Sequence, residues 1–197
     1  MLLGGISFDS NMPVNAVMTV NAAKQTVLLQ RSLMYPRCHH SCEVLNETCL
    51  LISGGFSDPK NPGSSIVPDE IYNRETGESQ EVTSSLGRYS HSIIRLKDSI
   101  FALGGQIASG SPVSTVEKFE SSSSSWSRHP EELSSTATGR LAVTAFPVSA
   151  LDCQDCRCGG KRSARIIQGG EVEVFTFLSC QEQLVIFEFS RKDPIHG

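Results

Sequence analysis

The sequence contains no run of 18 apolar residues, and its N-terminus lacks the basic start and long apolar core of a signal peptide. It therefore predicts neither a membrane span nor a secretory leader. Basic residues are also few, since 17 Lys and Arg stand against 21 Asp and Glu and give a net charge of -4. Because a nucleic-acid backbone requires a basic binding face, this balance argues against a nucleic-acid partner.

Motifs that mark common catalytic sites are missing as well. The sequence has no nucleophile elbow, no phosphate-binding loop and no dinucleotide fingerprint. The segment 104–106 follows an apolar stretch but lacks the third glycine and the helix that a phosphate site needs. We therefore expect no catalytic residues, no cofactor and no enzymatic activity.

The seven cysteines form no even framework, which favours reduced thiols in an intracellular protein over disulfides. Cys153, Cys156 and Cys158 are the one cluster with metal-like spacing. Structural zinc requires four tetrahedral ligands, often as two Cys-x-x-Cys pairs, and only Cys180 or a distant histidine would complete the set. The sequence therefore predicts no metal site, and it favours the cytoplasm or the nucleus as the location.

What the sequence does contain is a repeated glycine pair. The pairs begin at residues 4, 54 and 104, a period of 50 residues, and each follows an apolar stretch. In the two later units that stretch is preceded by a His-Ser segment led by Arg37 or Arg88. Repeats of this length indicate stacked β units. His40 and His91 share one repeat position, which favours a structural hydrogen bond over catalysis.

This pattern resembles the kelch motif, in which an Arg-led His-Ser strand is followed by an apolar strand that ends in Gly-Gly. The resemblance implies an all-β fold, namely a kelch-type β-propeller of about four blades. Since kelch propellers usually have more than four blades, we expect the ring to be incomplete. Phe119 and Trp126 match both aromatic positions of a kelch blade, whereas Tyr72 matches only the first in its unit. The predicted units are a partial blade at 1–34, repeats at 37–86 and 88–134, and a degraded repeat at 139–190 with a cysteine-rich insert at 151–165.

The loops that follow the glycine pairs, and those that lead into each arginine, converge on one face of such a ring. In kelch proteins this face resembles a shallow bowl for a protein partner, and loops on a rigid scaffold are where binding usually occurs. Arginines there can clamp a carboxylate or an acidic peptide through two hydrogen bonds, or they can tie one blade to the next. The first loop offers Phe8 and Asp9. The predicted binding residues of the later units are Arg37, Phe56, Asp58, Lys60, Asn61, Arg88, Gln106, Ser109, Ser111 and Arg140.

The leading hypothesis for function is a non-catalytic module that binds another protein, as a substrate receptor or as a scaffold. The alternative is a propeller that accompanies an enzyme, because the segment 54–62 is similar to a propeller loop of wybutosine-synthesising carboxymethyltransferase relatives. We also expect an open strand edge near Met1 to favour association of the chain, because unpaired edges are templates for pairing.

Overall fold

The computed structural model describes residues 1–83, 86–96, 98–133, 141–147, 174–179 and 182–188. Within these ranges the regular structure consists of fourteen β-strands and one short 3-10 helix at Gly63–Ser65. In the same part of the chain, no helix has the length and apolar character needed to cross a membrane. The described fold is therefore all-β, as the repeat pattern predicts.

The strands form four antiparallel sheets that follow one another along the chain, here called blades 1 to 4. Blade 1 contains β1 (Leu2–Leu3), β2 (Val17–Asn21) and β3 (Thr26–Leu29). Blade 2 contains β4 (Ser41–Val44), β5 (Cys49–Ser53), β6 (Asp69–Asn73) and β7 (Ser79–Val82). Blade 3 contains β8 (Ser92–Leu96), β9 (Ser99–Leu103), β10 (Thr115–Glu120) and β11 (Ser125–Glu132). Blade 4 contains β12 (Leu141–Pro147), β13 (Val174–Ser179) and β14 (Glu182–Glu188).

Asparagine side chains close the turns of blade 2. The Oδ1 atom of Asn46 accepts hydrogen bonds from the backbone amides of Thr48 and Cys49 at 3.0 and 2.8 Å. Asn73 does the same for the amides two and three residues further along, at 2.9 and 3.1 Å. Such side-chain bonds stabilise tight turns. The two turns join β4 to β5 and β6 to β7, so the strands of each pair lie side by side in the order of the chain.

Blade 2 is buried on both of its faces, because alternate residues of a strand point in opposite directions. Ile52 and Tyr72 pack against blade 1 in a cluster with Val17 and Leu33. Leu51, in contrast, packs towards blade 3 in a larger cluster. The other buried members of that cluster are Val82, Ile93, Ile100, Ala102, Phe119 and Trp126. Each large side chain buried in this way contributes about 1.5–3 kcal/mol to folding.

Blade 4 differs from the two four-stranded blades in the order of its strands. In blades 2 and 3 the strands pair in chain order, whereas in blade 4 the last strand, β14, lies between β12 and β13. The backbone of β12 lies beside β8, so this sheet follows blade 3. The segment 164–170, whose glycine pair follows an apolar stretch and therefore predicts a second strand of this unit, lies outside the described residues.

Candidate functional site

Three hairpin loops follow the glycine pairs of blades 1, 2 and 3 at equivalent places. Each loop is closed at its base by a single antiparallel bridge. The bridges join Ile6 to Pro13, Phe56 to Ile66 and Gln106 to Pro112. We call the surface that residues 6–13, 56–66 and 106–112 form the loop face.

The glycine pair at the start of each loop allows two blades to approach closely. Gly54 and Gly55 have φ values of 59 and 87 degrees, in the left-handed region that favours glycine. The amide of Gly55 donates to the carbonyl oxygen of Arg88 at 3.0 Å, and that of Gly5 donates to the carbonyl oxygen of Arg37 at 2.8 Å. A Cβ atom at Gly54 would lie 2.0 Å from the Arg88 carbonyl oxygen. The glycines therefore join each blade to the segment that begins the next.

Arg37 is completely buried inside blade 2. Its Nη1 atom donates to the carbonyl oxygen of Gly54 at 2.8 Å. Its Nη2 atom donates to the carbonyl oxygen of Pro68 at 2.8 Å and to Oε1 of the buried Glu70 at 2.7 Å. The guanidinium group thus holds the glycine pair against the start of β6.

Arg88 repeats this arrangement in blade 3. Its Nη1 atom donates to the carbonyl oxygens of Gly104 and Thr115 at 2.9 and 3.1 Å, and its Nη2 atom lies 2.5 Å from Oε2 of Glu117. Burial lowers the pKa of Arg88 and raises the pKa of Glu117. Since charges leave water at a high cost, each member of this pair depends on the other.

The sequence leaves two roles open for the arginines, and these contacts correspond to the one that joins parts of the fold. The carboxylate that each buried guanidinium binds is the glutamate of its own blade, and the described contacts support a structural role rather than an exposed clamp. Arg140, the third arginine of the pattern, lies outside the described residues, as do Cys153, Cys156 and Cys158.

A buried carboxylate, Asp69, connects blade 2 to blade 3. Its Oδ1 atom accepts from the amide of Gly54 at 2.7 Å, and its Oδ2 atom accepts from Ser53 Oγ at 3.0 Å. The indole Nε1 of Trp126 donates to the same Oδ2 atom at 2.6 Å. Burial raises the pKa of Asp69, and these three donors act against that rise. The single tryptophan therefore joins the two blades through a polar contact as well as through packing.

His91 takes part in the same seam between the blades. Its Nε2 atom lies 3.0 Å from Ser53 Oγ, so the structural hydrogen bond predicted for this repeat position is present. Burial lowers the pKa of His91 to about 3, and burial together with Arg37 lowers the pKa of His40 to about 4. Both rings are therefore neutral at pH 7.

The first hairpin of the loop face presents an apolar tip. Phe8 is fully exposed, and Ile6 and Met12 are about half exposed. The turn itself is closed by backbone hydrogen bonds, from Ser7 to the Met12 carbonyl oxygen and from Asn11 to the Ser7 carbonyl oxygen, both at 2.9 Å. The backbone thus holds the shape of the loop, and the Phe8 side chain has no role in closing it.

The second hairpin is polar and is stabilised by Asp58. This carboxylate accepts hydrogen bonds from the Asn61 side chain and from the Lys60 amide, both at 2.9 Å. The two bonds, that from Asn61 above all, lower the pKa of Asp58. Asp58 and Asn61 therefore shape the loop, while the side chain of Lys60 is exposed at its tip.

The third hairpin packs closely against the second. A Cβ atom at Gly63 would lie 1.8 Å from the carbonyl oxygen of Ala108, so the two loops touch at that point. Ser109 Oγ donates to Ser111 Oγ at 2.9 Å, and both residues are exposed. The loops of blades 2 and 3 therefore form one continuous polar surface.

Phe56 and Gln106 occupy equivalent positions at the bases of the second and third loops. Phe56 is buried, stacks on His39 with ring centroids 4.9 Å apart and meets the edge of Tyr89 at 5.3 Å. Gln106 exchanges two backbone hydrogen bonds with Tyr89, at 2.9 and 3.0 Å. Phe56 therefore supports the loop face from below, in contrast to the exposed binding residue that the sequence predicts there. The backbone of Gln106 fixes the base of the third loop, and its side chain is only half-buried.

Sequence reasoning missed the buried acids of the site. Glu70 stands two residues before Tyr72, and Glu117 stands two residues before Phe119. This shared spacing from an aromatic position is a pattern that would have revealed both glutamates as repeat residues. Asp69 has no such pattern, because the residue aligned with it in blade 3 by sheet register is Val116.

The described part of the chain gives no metal-binding arrangement. Within it, no group of three or more His, Cys, Asp or Glu side chains is placed to hold a metal ion. Cys38, Cys42 and Cys49 are free thiols. The loop face itself presents an apolar tip at Phe8 beside the polar hairpins of blades 2 and 3.

Comparison with known families matches residues 87–131 to the kelch motif. The matched segment covers blade 3 from Gly87 into β11, and includes the Arg88–Glu117 pair and Trp126. The resemblance to the kelch-repeat family predicted from the sequence is confirmed for this segment. No curated protein matches the chain.

Proposed function

We propose that this chain, which carries a kelch motif in blade 3, binds another protein through its loop face and acts without catalysing a reaction. Kelch motifs are typically found in modules for protein–protein interaction. The arginines and glycines that recur in the repeats make the contacts described above, which hold the fold together. In this proposal the partner meets the exposed residues of the three hairpins.

The observation that carries the proposal is the exposure of Phe8. A phenylalanine in water has a large unfavourable contact area, and the backbone bonds of its loop do not require it. Aromatic side chains commonly supply the anchors of protein interfaces, and apolar surface of this kind marks interaction sites. Phe8, with Ile6 and Met12 beside it, is therefore the proposed anchor.

The polar hairpins supply the surroundings that such an anchor needs. Interfaces commonly have an apolar centre and a polar rim that exchanges hydrogen bonds with the partner. In this proposal the rim contacts come from the loops of blades 2 and 3. They are Asp58, Lys60, Asn61, Gln106, Ser109 and Ser111.

The experiment compares the proteins captured by the wild-type chain with those captured by Phe8→Ala, using quantitative mass spectrometry. The control is Val44→Ala, which removes an exposed apolar side chain at the opposite end of blade 2. We expect at least one protein to be retained by the wild type and the control and lost by Phe8→Ala. The same set of proteins on all three baits would contradict the proposal.

The same experiment separates the finer roles. A substrate receptor would retain subunits of a ubiquitin ligase, and a scaffold would retain structural or cytoskeletal proteins. The alternative role beside an enzyme rests on the similarity of 54–62 to the carboxymethyltransferase relatives, and it would yield an enzyme of tRNA modification. The identity of the Phe8-dependent protein decides among them.

A further inference from the structure

Blade 1 is unusual among the first three blades because its strands carry no charged residue. β1, β2 and β3 contain only leucine, valine, methionine, threonine and asparagine. Blade 2, in contrast, has acidic residues on three of its four strands, and blade 3 has charged residues on three of its four. An uncharged sheet at the surface needs a separate explanation.

The apolar residues of blade 1 fall on both of its faces, and within the described part of the chain only one face packs against another blade. Leu3 and Val17 point towards blade 2, where they pack with Ile52 and Tyr72. On the opposite face, side chains of adjacent strands lie next to each other in the pairs Leu2–Met18, Met18–Leu29 and Val20–Val27. We call this set of five residues the open face: Leu2, Met18, Val20, Val27 and Leu29.

The open face is strongly exposed. The exposed fractions of Leu2, Val20, Val27 and Leu29 are 54%, 48%, 58% and 77%. These residues are contiguous through the register of three strands, so they form one apolar patch rather than scattered single side chains. Patches of this kind mark interaction surfaces in soluble proteins.

Equivalent positions in the other blades are contact positions. By register, Leu2 and Val20 correspond to Ile52 and Tyr72 of blade 2, both of which are buried against blade 1. In blade 3 the corresponding residues are Ala102 and Phe119, which are buried in the cluster shared with blade 2. Leu2 and Val20, the inner part of the open face, therefore occupy positions that in blades 2 and 3 hold apolar residues packed against a neighbouring sheet.

The outer part of the open face departs from these internal contacts. The register positions of Met18 and Leu29 hold Glu70 and Glu81 in blade 2. In blade 3 they hold Glu117 and Arg128, and the Arg128 side chain is 68% exposed. Internal contacts between blades thus contain a buried ion pair and end in charges. The open face has neither, and its apolar surface continues to the outermost strand.

From this difference we propose that the open face is the contact between two copies of the chain. A two-fold contact places the same patch on both sides, so a patch with charges of one sign would face charges of that same sign. The chain has a net charge of -4, but the open face contains no charged residue, so two copies can meet there without electrostatic repulsion. Two such sheets pack face to face in the manner of a β-sandwich, with alternate side chains interdigitating.

The test is the mass of the full chain in solution, measured by size-exclusion chromatography with light scattering over an about hundredfold concentration range. We expect the wild type to reach twice the mass of one chain. Leu29→Lys places a charge in the open face and is expected to raise the dissociation constant about tenfold or more. The matched control is Leu28→Lys, since Leu28 is exposed on the same strand but pairs with Thr19 on the other face.

Each other outcome overturns the proposal. A wild type that stays monomeric throughout shows that the open face does not bind its own copy. Equal weakening by Leu28→Lys and Leu29→Lys indicates pairing along the β3 edge instead of the face. Assemblies larger than two also contradict it, because a two-fold contact closes at two copies. Far-ultraviolet circular dichroism of each variant confirms that a change of mass is not a loss of fold.

Discussion

At the scale of single residues, the repeat is held together by arginine and glutamate side chains placed where no water reaches them. Arg37 and Arg88 each join a glycine carbonyl, the segment that begins the third strand of the blade and a glutamate on that strand. Losing one partner of such a pair leaves an uncompensated buried charge, which costs far more than losing both.

Glu117→Ala is expected to lower the free energy of unfolding by about 3–5 kcal/mol, because it strands the buried Arg88 guanidinium. The control is Glu120→Ala on the same strand, where the carboxylate pairs with Lys118 at 3.1 Å and the side chain is 40% exposed. That change is expected to cost less than about 1 kcal/mol. Urea unfolding of both variants measures the difference, and equal losses would argue against a structural Arg88–Glu117 pair.

His91 adds a dependence of stability on pH. Burial lowers its pKa in the folded chain to about 3, whereas the unfolded chain has the ordinary value of 6.5. Below pH 6.5 the unfolded chain therefore protonates this histidine, whereas the folded chain keeps it neutral. The free energy of unfolding that His91 contributes above pH 6.5 is consequently lost as the pH falls towards 3. His40 acts in the same direction, and the raised pKa values of Asp69 and Glu117 act in the opposite one.

Comparing the wild type with His91→Gln isolates this effect, because the other groups are common to both proteins. The difference in their unfolding free energies is expected to shrink by about 2 kcal/mol between about pH 6.5 and about pH 5. Chemical denaturation at each pH provides the values. A difference that stays constant over this range would mean that His91 does not remain neutral in the fold.

At the scale of elements, the strands end in a glycine pair because the segment that begins the next blade packs directly against their ends. Gly54 combines a positive φ with a close approach to the Arg88 carbonyl oxygen. Gly110, in the exposed third loop, also has a positive φ, of 77 degrees, but the nearest atom to an added Cβ lies 4.0 Å away. Substituting alanine at Gly110 therefore tests the free-energy cost of the backbone conformation alone, whereas the same substitution at Gly54 adds the cost of a steric clash.

Gly110→Ala is expected to cost about 1–2 kcal/mol, the price of a left-handed conformation for alanine. Gly54→Ala is expected to cost clearly more, because the added methyl group would push blade 2 away from the segment that begins blade 3. Thermal unfolding of the two variants tests this order. Similar melting temperatures would show that the blades adjust to the methyl group without loss.

The elements were predictable where the chain repeats a local pattern. An apolar stretch before a glycine pair marks the strands that end at Ser53 and Leu103, and both are present. The partners of the arginines were not predictable in this way, because Arg37 meets Glu70 across 33 residues and only through sheet register. The contact of Trp126 with Asp69 spans 57 residues and two blades, and the sequence has no local feature that indicates it.

The same distinction applies to the candidate site. The positions of the three hairpins follow from the glycine pairs, so the loop face was predictable as a surface. The buried state of Phe56 was not, because it depends on the stacking partners His39 and Tyr89 from two other segments. The exposure of Phe8 depends likewise on how its turn closes on itself, through Ser7 and Asn11.

At the scale of the whole molecule, the described blades follow one another with three kinds of connection. Apolar clusters fill the spaces between blades 1, 2 and 3, backbone bonds run from the glycine pairs, and side-chain bonds join blade 2 to blade 3. The loop face and the open face lie on different parts of this body, since one is made of hairpin tips and the other of strands. Binding of a partner at the loop face and pairing of two copies at the open face are therefore compatible.

Trp126 provides an intrinsic fluorescent probe of one contact in the protein. It is the sole tryptophan of the chain, and its indole lies between Phe119 and the carboxylate of Asp69. Its fluorescence therefore reports on one location, the contact of blade 2 with blade 3, whereas circular dichroism reports on all strands together. If the two transitions coincide during unfolding, the blades lose their structure as one cooperative unit. An earlier fluorescence transition would mean that this contact opens first, while the separate sheets still persist.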